Sequence, residues 1–375
     1  MAVKSRAALL YGFGEEFVID EITVDDPKEG EIMVKLAATG LCHSDYHMVT
    51  GDFGPEFHWP TCGGHEGAGT VVQVGPGVKN FEVGDSVLLT FIPACGLCEW
   101  CAKGMSFLCD NGANIILGPQ LDGTFRMHDS KGNDVGQFCM ISTFSEYTTC
   151  PAMSAIKLDD TYDLTKICIA GCCVPTGFGS AVNTADVQPG ESVVIFGIGG
   201  VGINAVQGAA IKGAAQVIAV DPIDFKLEVA EQLGATHTIN PNNEDVLAKI
   251  QELTNGVGAN KAIITIDNPD PDDIGLAFNC TGKGGRTVLT SVTHVKHQQV
   301  NISPFMLTLF KKELVGSLYG DSAVRADLPR YLREYRAGKL KIDELVTNTY
   351  TLDQINEGYA DMLAGKNIRG VIVYD

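Results

Sequence analysis

The sequence predicts an α/β protein in which a doubly wound parallel sheet accompanies a second, β-rich domain. Two observations predict it. The middle of the chain alternates short β-branched runs with helical stretches, the way parallel strands are connected. The part before about residue 175 instead turns roughly every eight to twelve residues, with short strand-like runs between the turns. A length of 375 residues is enough for two or three domains.

In chain order, FVIDEITV, EIMVKLAA, GTVVQV and DSVLL read as strands. They lie between turns at Gly12 and Gly14, Pro27, Gly30, Gly51, Gly54 with Pro55, Gly75 to Gly77, and Gly84 with Asp85. Short strands of this kind make an irregular barrel. The runs SVVIF (192–196), QVIAV (216–220), KAIITI (261–266) and TVLTSV (287–292) read as strands buried on both faces. DFKLEVAEQLG and EDVLAKIQELTNG read as helices between them, each stopped by a glycine. The tail, from about residue 318, carries ADLPRYLREYRAGKLKID and the apolar run IRGVIVY, and is expected to return to the first domain. The expected division is therefore 1–177 and 318–375 for the β-rich domain and 178–317 for the parallel sheet.

Lys and Arg total 27 against 46 Asp and Glu, a formal net charge of −19, so nucleic acid and an anionic membrane surface are excluded as partners by repulsion. The uncharged windows 167–185 and 192–211 approach the length of a membrane span. They are glycine-rich, and the second reads better as a buried strand feeding a buried helix. The N-terminus MAVKSRAALLYG lacks the pattern of a secretory signal, which predicts a cytoplasmic protein. In that setting the 12 cysteines point to metal binding rather than disulfides.

Gly197, Gly199 and Gly202 in FGIGGVG fit G-x-G-x-x-G after a predicted strand and at the start of a predicted helix. The first glycine permits a tight turn, the second lets a pyrophosphate approach the backbone, and the third lets helix and strand pack closely. Asp221 closes the next strand, where a carboxylate accepts hydrogen bonds from an adenosine ribose and repels a 2′-phosphate. The expected cofactor is NAD.

Cys95, Cys98, Cys101 and Cys109 form C-x₂-C-x₂-C-x₇-C within one loop, a spacing that closes four thiolates around a structural zinc. An iron–sulfur cluster is the rival, but the ferredoxin run has a shorter last gap and a proline where this chain has Asp110. A second set is dispersed: Cys42 in GLCHSDYH, His65 with Glu66 in GGHEGAG, and Cys172 in AGCCVPTG. Two cysteines and one histidine would leave a fourth zinc position open for chemistry. Spacing alone does not join them.

GLCHSD, GGHEGAG, the four-cysteine loop, STFSEYT, GIGGVG and INEGYADMLAGKNIRGVIV occur in the order seen in the zinc-dependent medium-chain alcohol dehydrogenases, which the chain resembles over essentially its whole length. Alcohol dehydrogenase is itself the known example of a Cys₂His zinc site. The resemblance implies a GroES-like catalytic domain built from both chain ends around a central Rossmann domain, two zinc ions per chain, and NAD. By the same resemblance, Cys42, His65 and Cys172 hold the catalytic zinc, Glu66 lies close by, and Asp45 orients His65. Ser44 and His47 resemble the proton relay. His43, which stands where some members carry arginine, resembles a pyrophosphate contact, as does Arg369. Thr176, Gly200, Val201 and Lys226 fall with the cofactor-binding positions.

Phe91, Trp59 and Leu318 resemble pocket walls. His58, His128, His294 and His297 read as surface or satisfied core residues, and Cys173 as packing. GCCVPTGFGSAVN, INAVQGA, RADLP and AGKLKIDELV are similar to the nicotinoprotein, nitrosodimethylaniline-dependent subgroup, whose members hold NAD tightly and recycle it in place. The implied reaction is hydride exchange between NAD and a small alcohol or aldehyde, in a homo-oligomer. A thiol-dependent formaldehyde dehydrogenase of the same fold and a non-catalytic dinucleotide sensor are the alternatives.

Overall fold

Between Ser192 and Gly316 the apolar runs and the amphipathic stretches alternate as strands and helices. The computed structural model describes residues 2–113 and 115–375, which divide into two units. One unit comprises Cys173–Ser322 and Ala326–Lys341. It contains β1 (Ser192–Phe196), α1 (Gly200–Ile211), β2 (Gln216–Val220), α2 (Asp224–Gln232), β3 (His237–Ile239), α3 (Val246–Leu253), β4 (Ala259–Ile264), α4 (Pro271–Cys280), β5 (Thr281–Leu289) and β6 (Glu313–Gly316). The strands are all parallel in the order β3-β2-β1-β4-β5-β6. The order reverses direction between β1 and β4, and ligands of such sheets bind at that switch point. Val194, Phe196, Ile218, Ile239, Ala262 and Ile264 pack together in its core. Asp245 caps α3 by accepting the Ala248 N–H at 2.8 Å, and Asp270 and Asp273 form a capping box on α4.

The other unit comprises the chain up to Cys172, Ala323–Arg325 and Ile342–Asp375. Val3–Leu10, Val18–Val24, Met127–His128, Asp134–Gln137 and Thr61–Cys62 close a barrel. A seven-stranded sheet is centred on Glu31–Gly40, which pairs with Gly67–Val74, Tyr147–Pro151 and, from the chain's far end, Arg369–Val373. Val371 sits opposite Gly40, so the IRGVIVY run completes a sheet begun some 330 residues earlier. Leu9, Leu10, Ile32, Met33, Leu36 and Phe144 are buried in its core.

The two units part at residue 172, and 326–341 group with the parallel-sheet unit. The reason is packing. Within the helix Val324–Arg336, Tyr331 is buried against the Phe178 ring at 4.8 Å, and its hydroxyl accepts from Asn183 Nδ2 at 3.0 Å. Gln207 then exchanges two hydrogen bonds with the Lys341 backbone. Among the described residues no single helix is long and apolar enough to cross a membrane, and the apolar stretch 164–184 is broken at Cys172.

Candidate active site

Helix His43–Thr50 begins at Cys42, its N-cap, which places Cys42, Ser44, Asp45 and His47 within two turns. The ligand atoms of Cys42, His65 and Cys172 all lie within 4.8 Å of one another, and the three residues are buried. Asp45 joins the pieces. Its Oδ1 accepts the Gly64 N–H at 2.8 Å and its Oδ2 lies 3.0 Å from His65 Nδ1. His65 Nε2 has no hydrogen-bond partner among the described residues, a costly state for a buried nitrogen.

The electrostatics of the trio call for a cation. Burial pulls the His65 imidazole down, but Asp45 and Cys42 outweigh it and push it up to about 10. Cys172 beside Cys42, helped by His65 and Arg369, holds the Cys42 thiol well below its ordinary value. The buried negative cluster favours positive charge between its ligand atoms, and a divalent ion fits that place. Phe91 and Phe138 each meet the His65 ring edge-on at 5.7 Å. Glu66 is fully buried and ion-paired with Arg369, the first residue of the C-terminal strand.

Ser44 Oγ lies 3.8 Å from Cys42 Sγ, and His47 follows one turn later on the same helix face. His47 is buried and its Nδ1 lies 2.6 Å from Asp52 Oδ2. Asp52, Phe53 and Phe138 were not singled out from sequence. The signal for Asp52 was its place just beyond the helix-stopping Gly51.

The four-cysteine loop also closes. The Sγ atoms of Cys95 and Cys101 are 3.9 Å apart and those of Cys98 and Cys109 are 4.0 Å apart, and none of the four is in a disulfide. A tetrahedron with Zn–S bonds of about 2.3 Å has edges of about 3.8 Å, so the donors fit. The Cys98 and Leu97 N–H groups donate to Cys95 Sγ, and the Cys101 N–H to Cys98 Sγ, as thiolates require. Backbone donors from Cys101 and Asp110 bring the Cys98 thiol down to about 6, while burial pushes Cys109 up to about 12.

In the parallel-sheet unit, Gly197 ends β1 at φ 86°, and a Cβ there would press on Ile266. A Cβ at Gly202 would run into the Gly197 carbonyl, whereas one at Gly199 meets no atom within 4 Å. The loop is therefore packed from below and open at Gly199, a cradle that suits a pyrophosphate. α1 starts at Gly200 and Val201 with no side-chain cap. Asp221 is buried at the end of β2, its Oδ2 accepting from Ile198 N at 2.7 Å and its Oδ1 from Ile223 N at 2.9 Å. It thus ties the glycine loop to the next strand. Lys226 lies half-buried on α2, Thr176 is half-buried on Cys173–Gly179, and His43 is half-buried at the start of its helix.

Trp59 packs on Phe13 and Phe57, with Phe53 beyond, rather than on His65 directly. Leu318 lies in the other unit and is exposed. His58 contacts the Asp134 carbonyl and the Phe125 ring, His128 sits between Asp25 and Asp134, and His294 stacks on His297. Cys173 is buried near Asn204.

Residues 28–160 match the alcohol dehydrogenase GroES-like domain, and residues 200–336 match the zinc-binding dehydrogenase domain. An NDMA-dependent alcohol dehydrogenase of Amycolatopsis methanolica is 47% identical over 372 residues, 99% of each chain. The chain belongs to the zinc-dependent medium-chain alcohol dehydrogenase family. It is an oxidoreductase acting on alcohols, with the Rossmann and GroES-like architecture of that family. An S-(hydroxymethyl)glutathione dehydrogenase of Paracoccus denitrificans is more distant, at 36% over 99% of this chain and 100% of its own. Among solved structures, benzyl alcohol dehydrogenase from Acinetobacter calcoaceticus superposes with a TM-score of 0.92 at 28% identity, covering 100% of both chains.

Proposed function

We propose that the protein exchanges hydride between a small alcohol or aldehyde and an NAD that stays bound, with one zinc held by Cys42, His65 and Cys172 and a second by the four-cysteine loop. The buried trio, with a His65 Nε2 that has no hydrogen-bond partner among the described residues, carries this reading. A zinc ion held by Cys42, His65 and Cys172 would supply Lewis-acid polarisation of the alcohol oxygen, and bound NAD would supply the hydride acceptor. Ser44, beside Cys42, takes the hydroxyl proton, and His47 passes it on to water.

Phe91 and Phe138 keep water away from the reacting carbon. Asp45 holds His65 in place for the metal, and Glu66 sets the position of Arg369, which with His43 offers hydrogen-bond donors to an anionic group. Gly197, Gly199, Gly200, Val201 and Gly202 cradle the cofactor pyrophosphate, Thr176 and Lys226 contribute to the cofactor site, and Asp221 selects NAD over NADP. The resemblance to nicotinoproteins and the name of the 47% relative support a retained nucleotide. A cytoplasmic homo-oligomer is the setting this reading expects. The thiol-adduct alternative is weaker, since the relative so named is the more distant one.

Metal analysis tests the proposal directly: two zinc per chain are expected, together with oxidation of a simple alcohol. Iron, or a single zinc or none, overturns the metal assignment.

A further inference from the structure

Beside the buried trio, Cys139 (φ 54°), Met140 (φ 60°) and Ser142 (φ 36°) all adopt left-handed backbone conformations, and none of them is glycine. Such residues persist only where their surroundings over-determine them, and they gather at functional sites. The run follows directly on Phe138, whose ring meets His65 edge-on at 5.7 Å and packs on Phe53 at 6.2 Å. Every residue from Phe138 to Ser142 is buried. Two buried glutamines clamp the run. Gln120 Nε2 donates to the Met140 carbonyl at 2.9 Å and to Gln137 Oε1 at 3.0 Å. Gln137 Nε2 donates to the Thr149 carbonyl at 3.1 Å and to the Thr148 hydroxyl at 3.3 Å, and that hydroxyl donates to the Ile141 carbonyl at 2.5 Å. The backbone carbonyls of Met140 and Thr149 fix which way round the two amides lie. Gln120 Oε1 has no hydrogen-bond partner among the described residues, a cost that an apolar side chain of similar size would avoid. What Gln120 contributes is therefore its two donors.

Resting on the place of Phe138 beside the reacting carbon in the proposed function, we infer that Gln120 is a positioning residue for substrate selection, acting through Phe138. By holding the Met140 carbonyl it keeps the left-handed turn formed, and the turn keeps the Phe138 ring against His65. A ring fixed there limits the width open to substituents on the carbinol carbon, so the clamped site discriminates against branching at that carbon. Without the two donors the turn relaxes toward ordinary backbone geometry, and Phe138, the residue that opens it, moves with it.

Single-turnover reduction of the bound nucleotide by 1-butanol and by 2-butanol, over a range of alcohol concentrations in the full-length zinc- and nucleotide-loaded protein, tests this. The readout is the ratio of the two specificity constants, each the limiting rate over the half-saturating concentration. Gln120→Leu should lower the preference for 1-butanol on the order of tenfold with zinc content unchanged. If that variant does not fold, Gln120→Asn, whose amide is one methylene short of Met140, carries the same test. Phe138→Leu should lower the ratio as well, and in Gln120→Leu/Phe138→Leu the loss of Gln120 should change it no further. A Gln120 variant that melts earlier but keeps the native ratio while Phe138→Leu alters it, or two shifts that simply add in the double variant, overturns the inference. A native ratio in Phe138→Leu removes Phe138 as a pocket wall and the inference with it. Native protein that reduces its nucleotide with neither alcohol rejects the proposed function itself.

Discussion

Cys42 and Cys109 are both buried thiols, each in one of the two proposed metal sites, and the two sites differ in consequence. Cys42 sits in a trio surrounded by core, whereas Cys109 closes a loop whose short helices have little apolar packing of their own. Cys42→Ala should therefore give a folded protein with one zinc per chain and no measurable turnover, while Cys109→Ala should lower the melting temperature first. An active Cys42→Ala protein would remove that residue from the site. Asp221 illustrates a second residue-scale effect: its two oxygens hold the Ile198 and Ile223 amides, and the proposed function also gives its carboxylate the ribose to read. Asp221→Ser should narrow the preference for NAD over NADP and also loosen the glycine loop. Fluorescence titration of nucleotide-free protein with both dinucleotides checks this, and an unchanged ratio would sink it.

The strand Glu31–Gly40 and the turn before Met127 are tied by a buried ion cluster. Arg126 is fully buried, donates to both Glu31 oxygens at 2.8 and 2.7 Å, and reaches Asp122 at 2.9 Å. Arg126→Met should destabilise the β-rich unit by about 3–5 kcal/mol, because it leaves Glu31 charged and buried. Arg126→Met with Glu31→Leu should recover most of that. The same cluster has a pH signature. Burial opposes the Asp122 charge, but Lys28, Thr124 and Arg126 hold its carboxyl well below the usual carboxylate range. Its contribution is thus complete above an unfolded value of about 3.9 and is lost as pH falls toward the folded value. Urea melts between pH 5 and 2.5 should show a stability decline that is shallower in Arg126→Met. Parallel slopes would argue against the cluster as its source.

At the scale of the whole molecule, the proposed retention of NAD changes the kinetics rather than the chemistry. If the nucleotide does not leave, each hydride taken from an alcohol must pass to a second substrate that enters after the first product departs. Desalted protein should show nucleotide absorbance and fluorescence that respond to added alcohol. Turnover with an alcohol and an aldehyde, or with nitrosodimethylaniline, should follow ping-pong kinetics and gain little from free NAD. Protein that purifies empty and saturates with added NAD would reject retention and leave a conventional family member.

Much of this molecule was legible because the signals are local. The β-branched runs and intervening helices predict a parallel sheet since each crossover is short. The four cysteines lie within 15 residues, and the glycine motif needs only the strand before it and the helix after it. Within one loop or one βα turn, spacing in sequence is close to spacing in space. The dispersed site was different. Cys42, His65 and Cys172 are separated by up to 130 positions, and only resemblance joined them, because no local rule brings a helix N-cap, a glycine-rich loop and a short-helix end together. Tertiary packing does so, through Asp45 reaching Gly64 and His65. It also groups 326–341 with the parallel-sheet unit, since an amphipathic helix records which of its faces is buried but not against what. The sequence by itself determined the two architectures and the local metal and glycine loops. The tertiary structure decided which distant side chains share one buried volume, among them Asp52 and His47, whose contact depends on the left-handed turn at Gly51.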